Sequence, residues 1–146
     1  MLNPIRKTNT ALLAMLLALT SLSAHAATTS REENLANPRG WSAVAGMEPQ
    51  AVREMARRLP LSEQASGDQP WCGHDAEIAQ TLSDDFGESR IATNASDTAL
   101  WGSDLMGTWT VVLERPDATS CVIASGIGFS DAQSPQSYFT KAGLGS

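Results

Sequence analysis

The tetrapeptide Cys72-Gly73-His74-Asp75 is the densest group of reactive side chains in this 146-residue chain. A thiol, an imidazole and a carboxylate are the parts of a nucleophile, its base and an orienting acid, and a helix N-terminus lowers a thiol pKa. That arrangement would make a thiol enzyme or hydrolase. The spacing argues against it, because adjacent residues rarely bring their side chains into catalytic geometry and an oxidised cysteine is no nucleophile. The chain has no Cys-x-x-Cys, so disulfide exchange lacks its motif. Asp84-Asp85 offers an acid and a base, but reads as a solvated helix face and lacks the spacing of a calcium loop. Gly126-Ile127-Gly128 follows a strand, precedes no helix and lacks the Walker residues, so it is not a phosphate loop. His74 and two cysteines cannot complete a zinc site. No catalytic, cofactor-binding or metal-binding residue is assigned on these patterns.

Compartment decides what the cysteines do. Residues 1–26 have the form of a signal peptide: Arg6 and Lys7, an apolar run from Ala11 to Leu22, then Ala24-His25-Ala26. The run is shorter than the roughly 20 residues a membrane span needs. Cleavage near Ala26 is expected, giving a periplasmic or secreted product without a membrane span. Removing this segment takes away two basic residues and no acid, so the formal charge of −6 becomes −8. An acidic surface repels phosphate backbones, which disfavours nucleic acid as a partner. In an oxidising compartment two cysteines are expected to pair, so Cys72 and Cys121 are assigned to one disulfide.

The elements that must bring those cysteines together centre on residues 107–129. Two runs rich in β-branched and aromatic residues flank Arg115-Pro116-Asp117-Ala118, a hairpin signal. With Ala118 in the left-handed position of a three-residue loop, Arg115 faces Thr119. Leu113 then faces Cys121, Val111 faces Ile123 and Trp109 faces Ser125. A four-residue loop would shift this register and turn Cys121 outward. Upstream, Ile78, Leu82 and Phe86 recur at helical spacing after Asp75, a candidate cap, with Gly87 as the stop. Short strands are predicted over 88–93 and 99–101.

These elements predict an α+β fold: a helix packed on one face of a roughly four-stranded antiparallel sheet, with one disulfide and an extra short N-terminal helix. Ile78, Leu82 and Phe86 are expected to cover the face of Trp109, Val111, Leu113, Cys121 and Ile123. The compact unit spans residues 71–130. Residues 27–70 form a lead-in, with a short amphipathic helix ended by Pro60 and a polar linker; residues 131–146 form an irregular tail. At about 60 residues the compact unit is marginal without a staple. Trp41 and Trp101 are candidate surface contacts.

Cys72 before an amphipathic helix, Phe86-Gly87-Glu88, Gly107-Thr108-Trp109-Thr110, and the run from Arg115 through Cys121 to Ala124-Ser125-Gly126 resemble a family of small exported alphaproteobacterial proteins with no known activity. Ala118 stands where that family usually has glycine. The resemblance implies a bacterial periplasmic setting and assigns no catalytic role. Three functions are then open. The first is a non-enzymatic binding or accessory module, partnered with an exported protein or envelope component. The second is an enzyme built on Cys72, His74 and Asp75. The third is an inhibitor presenting the 115–118 turn.

Overall fold

The computed structural model describes residues 39–63 and 66–145. The signal segment, its cleavage site and the lead-in up to residue 38 lie outside the described residues. The elements in chain order are β1 (Arg39–Ser42), α1 (Pro49–Ala56), β2 (Cys72–His74), α2 (Asp75–Phe86), β3 (Ser89–Thr93), β4 (Thr98–Ser103), β5 (Thr108–Glu114), β6 (Thr119–Ile127) and α3 (Pro135–Lys141). The α+β class stands, but the antiparallel sheet has six strands rather than four. The two additional strands come from the segments around Arg39 and Cys72.

Among the described residues β6 is the longest strand and the only one with neighbours along two stretches of one edge. β5 runs along one side of it, while β2 and then β1 share the other, with β4 and β3 continuing beyond β5. The β5–β6 turn takes the tight form: Arg115 N–H donates to Thr119 O, and Ala118 adopts a φ of 57°. Leu113 pairs with Cys121 as expected. Beyond that the register shifts. Val112 pairs with Val122 but Val111 pairs with Ala124, so Ile123 is an extra residue on β6. Trp109 consequently faces Gly126, not Ser125.

The reason lies in the size of the indole. Gly40, Gly126, Trp109 and Gly102 occupy one row across four strands. A Cβ on Gly40 would lie 2.4 Å from the Trp109 ring, and one on Gly102 would lie 2.3 Å from the Phe129 ring. The bulge thus brings a residue without a side chain under Trp109 and turns Ser125 to the opposite, exposed side. Trp109 is fully buried and donates its Nε1–H to Ile127 O at 3.1 Å.

Helices pack on both faces of the sheet, and the helix expected on the apolar face lies on the other one. Ile78 and Leu82 of α2 pack against Val112, Trp71, Trp101 and Val122. The face of Trp109, Val111, Leu113, Cys121 and Ile123 is covered instead by Val52 and Ala56 of α1 and by Tyr138 and Phe139 of α3. Phe86 is half-exposed. The origin of the difference is visible in β2. Cys72 points to the apolar face, so its neighbour Gly73 faces away. A Cβ there would meet Glu77 and Ile78, which shows α2 lying over that side. Residues 131–146 therefore contain a docked helix where an irregular tail is predicted, and Arg39–Ser42 within the lead-in form a sheet strand.

α1 docks on its own domain. Pro49 starts it and Val52 and Ala56 are fully buried. Arg115 Nη1 donates to the carbonyls of Ala56 at 3.1 Å and Leu59 at 2.6 Å. A guanidinium at a helix C-terminus satisfies carbonyls left without intrahelical partners and complements the dipole.

Cys72 and Cys121 are bonded and are directly opposite in the β2–β6 ladder, with Cα atoms 4.0 Å apart. Val122 N–H donates to Trp71 O, so the flanking pair carries the ladder bond and the cysteines occupy the closer, non-hydrogen-bonded pair. The loop they close spans a sequence separation of 49. In the chain-entropy model this is worth about 4 kcal/mol. Cys72→Ala/Cys121→Ala is therefore expected to lower unfolding free energy by about 4 kcal/mol in denaturant titration. A loss below about 1 kcal/mol would show that the bond is not a main restraint on the unfolded chain.

Candidate functional site

The reactive tetrapeptide is dispersed by the fold. Cys72 is fully buried in the disulfide, whereas His74 and Asp75 are exposed. Asp75 does not cap α2 with its side chain; it accepts a hydrogen bond from Ser120 Oγ, while His74 occupies the N-cap without a side-chain bond. The nucleophile reading therefore has no free thiol among the described residues. The inhibitor reading loses its basic side chain, because Arg115 is turned inward against α1 and is only 10% exposed.

What the fold does build is a cleft on the α2 side of the sheet. α2 covers one end of this face and ends before the other. Trp41, Ser125, Thr110, Trp101 and Arg90 form one cross-strand row on this face. Trp101 lies half-buried against the α2 cluster. The Trp41 end stays open, and with Leu82, Phe86, Trp71, Val122 and Ile127 it walls a cleft of about 410 Å³. Trp41, Phe86 and Ile127 are 55%, 46% and 40% exposed. Of the two candidate contact residues, Trp41 lines the cleft and Trp101 does not.

One acid enters this apolar space. Gly87, at a φ of 61°, ends α2 in the left-handed conformation, as its position after Phe86 predicts. The turn is closed by Glu88 N–H donating to Leu82 O at 2.9 Å. It directs Glu88 inward, so that the residue is only 3% exposed although it lines the cleft. Glu88 Oε2 and Thr108 Oγ1 are both buried without a hydrogen-bond partner. Burial pushes the Glu88 pKa above its ordinary value. The Thr108 and Thr110 hydroxyls lie near enough to pull it part of the way back, though neither gives Oε2 a well-formed bond.

Glu88 escaped the sequence analysis because a glutamate opening a predicted strand is ordinarily solvated. The available signal was Phe86-Gly87-Glu88, where a left-handed glycine reverses the chain under the helix it ends. No family profile, curated protein or solved structure matches the chain. The functional reading accordingly rests on these residues. Among the described residues no group of three or more His, Cys, Asp or Glu side chains is placed to hold a metal, and no helix is long and apolar enough to cross a membrane.

A carboxyl whose folded pKa exceeds its unfolded value binds more proton in the native state between the two values. Stability then falls as pH rises from 4.5 through the raised folded value. Glu88→Gln removes this dependence. The variant should match wild type in acid and become the more stable of the two toward neutral pH, measured by denaturant unfolding across the range. A wild-type protein that gains on the variant as pH rises would show a stabilised carboxylate instead.

Proposed function

We propose that this chain is a non-enzymatic exported binding module, and that its cleft takes a small molecule with an apolar body. The observation that carries this reading is the open half of the sheet face, where Trp41, Phe86 and Ile127 remain exposed around a buried acid. Large apolar side chains gathered on one concavity have a cost in water that a bound ligand relieves. A volume of about 410 Å³ falls within the range of small-molecule sites, which are mostly apolar with a few convergent polar groups. Glu88 lies below the surface, where a flat partner would not reach it.

Export fits the disulfide, which persists in oxidising compartments. Cleavage near Ala26, a periplasmic location and membership of the family of small exported alphaproteobacterial proteins belong to the same proposal. The partner served is an exported protein or an envelope component. The net charge of −6 argues against nucleic acid.

An uncharged solvatochromic dye, Nile red, reports on the cleft. It should bind wild-type protein with enhanced, blue-shifted emission. Ser125 is exposed on the cleft wall between Trp41 and Thr110, so Ser125→Trp should fill the space and weaken dye binding about tenfold or more with an unchanged melting temperature. Dye binding that survives Ser125→Trp, or that is absent in wild type, would contradict the reading.

A further inference from the structure

The cleft is lined by aromatic and aliphatic side chains, two threonines, a serine and a glycine, with Glu88 as its one charged residue. Arg90, at the far end of the cross-strand row that begins at Trp41 in the cleft, is already paired with Glu114 at 2.7 Å. An anionic ligand would therefore meet an acid and no base. A purely apolar ligand would leave Glu88 Oε2 and Thr108 Oγ1 buried and unpaired, each at the cost of an unsatisfied polar atom. A ligand with N–H donors would satisfy both acceptors. A positively charged donor does more, because its hydrogen bond to a carboxylate is charge-assisted and its attraction is strengthened by the dry surroundings. Tryptophan and phenylalanine faces add cation–π attraction, and Trp41, Trp71 and Phe86 are among the rings that line the cleft.

We propose that the ligand is an organic ammonium, with its head on the Glu88 carboxylate and Thr108 hydroxyl and its apolar body against Trp41, Trp71 and Phe86. This rests on the cleft being the binding site. Burial favours the protonated acid in the empty protein, so binding has a proton balance. The ammonium keeps its protons; wherever pH leaves free Glu88 protonated, its carboxyl releases that proton to solvent and the ion pair forms in its place. Affinity should then rise with pH through the titration of free Glu88. Other than Glu88, no cleft-lining residue from α2, β1, β5 or β6 is charged, so this dependence belongs to Glu88.

Three probes with one body separate the possibilities: 2-phenylethylamine, 2-phenylethanol and phenylacetate, titrated calorimetrically against the full exported protein at neutral pH. The amine should bind about tenfold or more tightly than the alcohol, and phenylacetate more weakly than either. Glu88→Gln should bring the amine to within about twofold of the alcohol, and should abolish the rise in amine affinity with pH. Alcohol binding as tight as the amine's in wild type would overturn the ammonium assignment. So would retention of the amine preference in Glu88→Gln. If Nile red binds and none of the three probes does, the ammonium assignment fails and the cleft remains a binding site. If neither the dye nor any probe binds, both fall together.

Discussion

A covalent bond across the Cys72–Cys121 pair fixes where β2 meets β6, and the position of α2 follows from it. Because the cysteines are directly opposed, the next residue, Gly73, must face the other side of the sheet, and α2 begins two residues later. The helix packs there through Ile78 and Leu82 and ends at Gly87 before reaching the β1 end of the face. The cleft is the part of that face that the helix is too short to cover. On the reverse side the same strand carries Cys121, Ile123 and Ala124 into the main core, where α1 and α3 close over it. β6 therefore positions both layers, and the disulfide ties its start to the start of α2.

Trp109 imposes the second constraint. Its indole needs backbone without side chains beneath it, and Gly40 and Gly126 provide this on the adjacent strands. The bulge at Ile123 is the adjustment that brings Gly126 into that place. It has a further consequence for the cleft, because the residues beyond it change faces. Ser125 and Ile127 are turned to the exposed side beside Trp41. Tight packing on one face thus sets which side chains are offered to solvent on the other.

Local features were legible in the sequence where they depend on a few neighbouring residues. The left-handed Ala118, the Leu113–Cys121 pair and the Gly87 stop all follow from turn and cap chemistry. What the sequence obscured depends on long-range competition. The apolar face was claimed by two short helices from outside the central run, leaving α2 the mixed face of Thr110, Val112 and Val122. α3 gives little warning, since its apolar content is concentrated in Tyr138 and Phe139. The bulge is invisible to a count of alternating residues, because only the bulk of Trp109 calls for it. Glu88 was hidden for a related reason: its burial comes from the helix end folding over it, not from its neighbours in sequence.

Burying an unpaired carboxyl works against folding, and here it stands beside a part of the sheet face that is left open. That coincidence joins the structural and functional sides of the protein. The direct measurement is the titration of the Glu88 side-chain carbonyl carbon by carbon-13 NMR in the intact, disulfide-bonded protein. A midpoint above the ordinary glutamate value of 4.5 is expected. A midpoint at or below that value would mean that the carboxyl is solvated or already paired, and that the cleft lacks the buried acid on which its proposed chemistry depends.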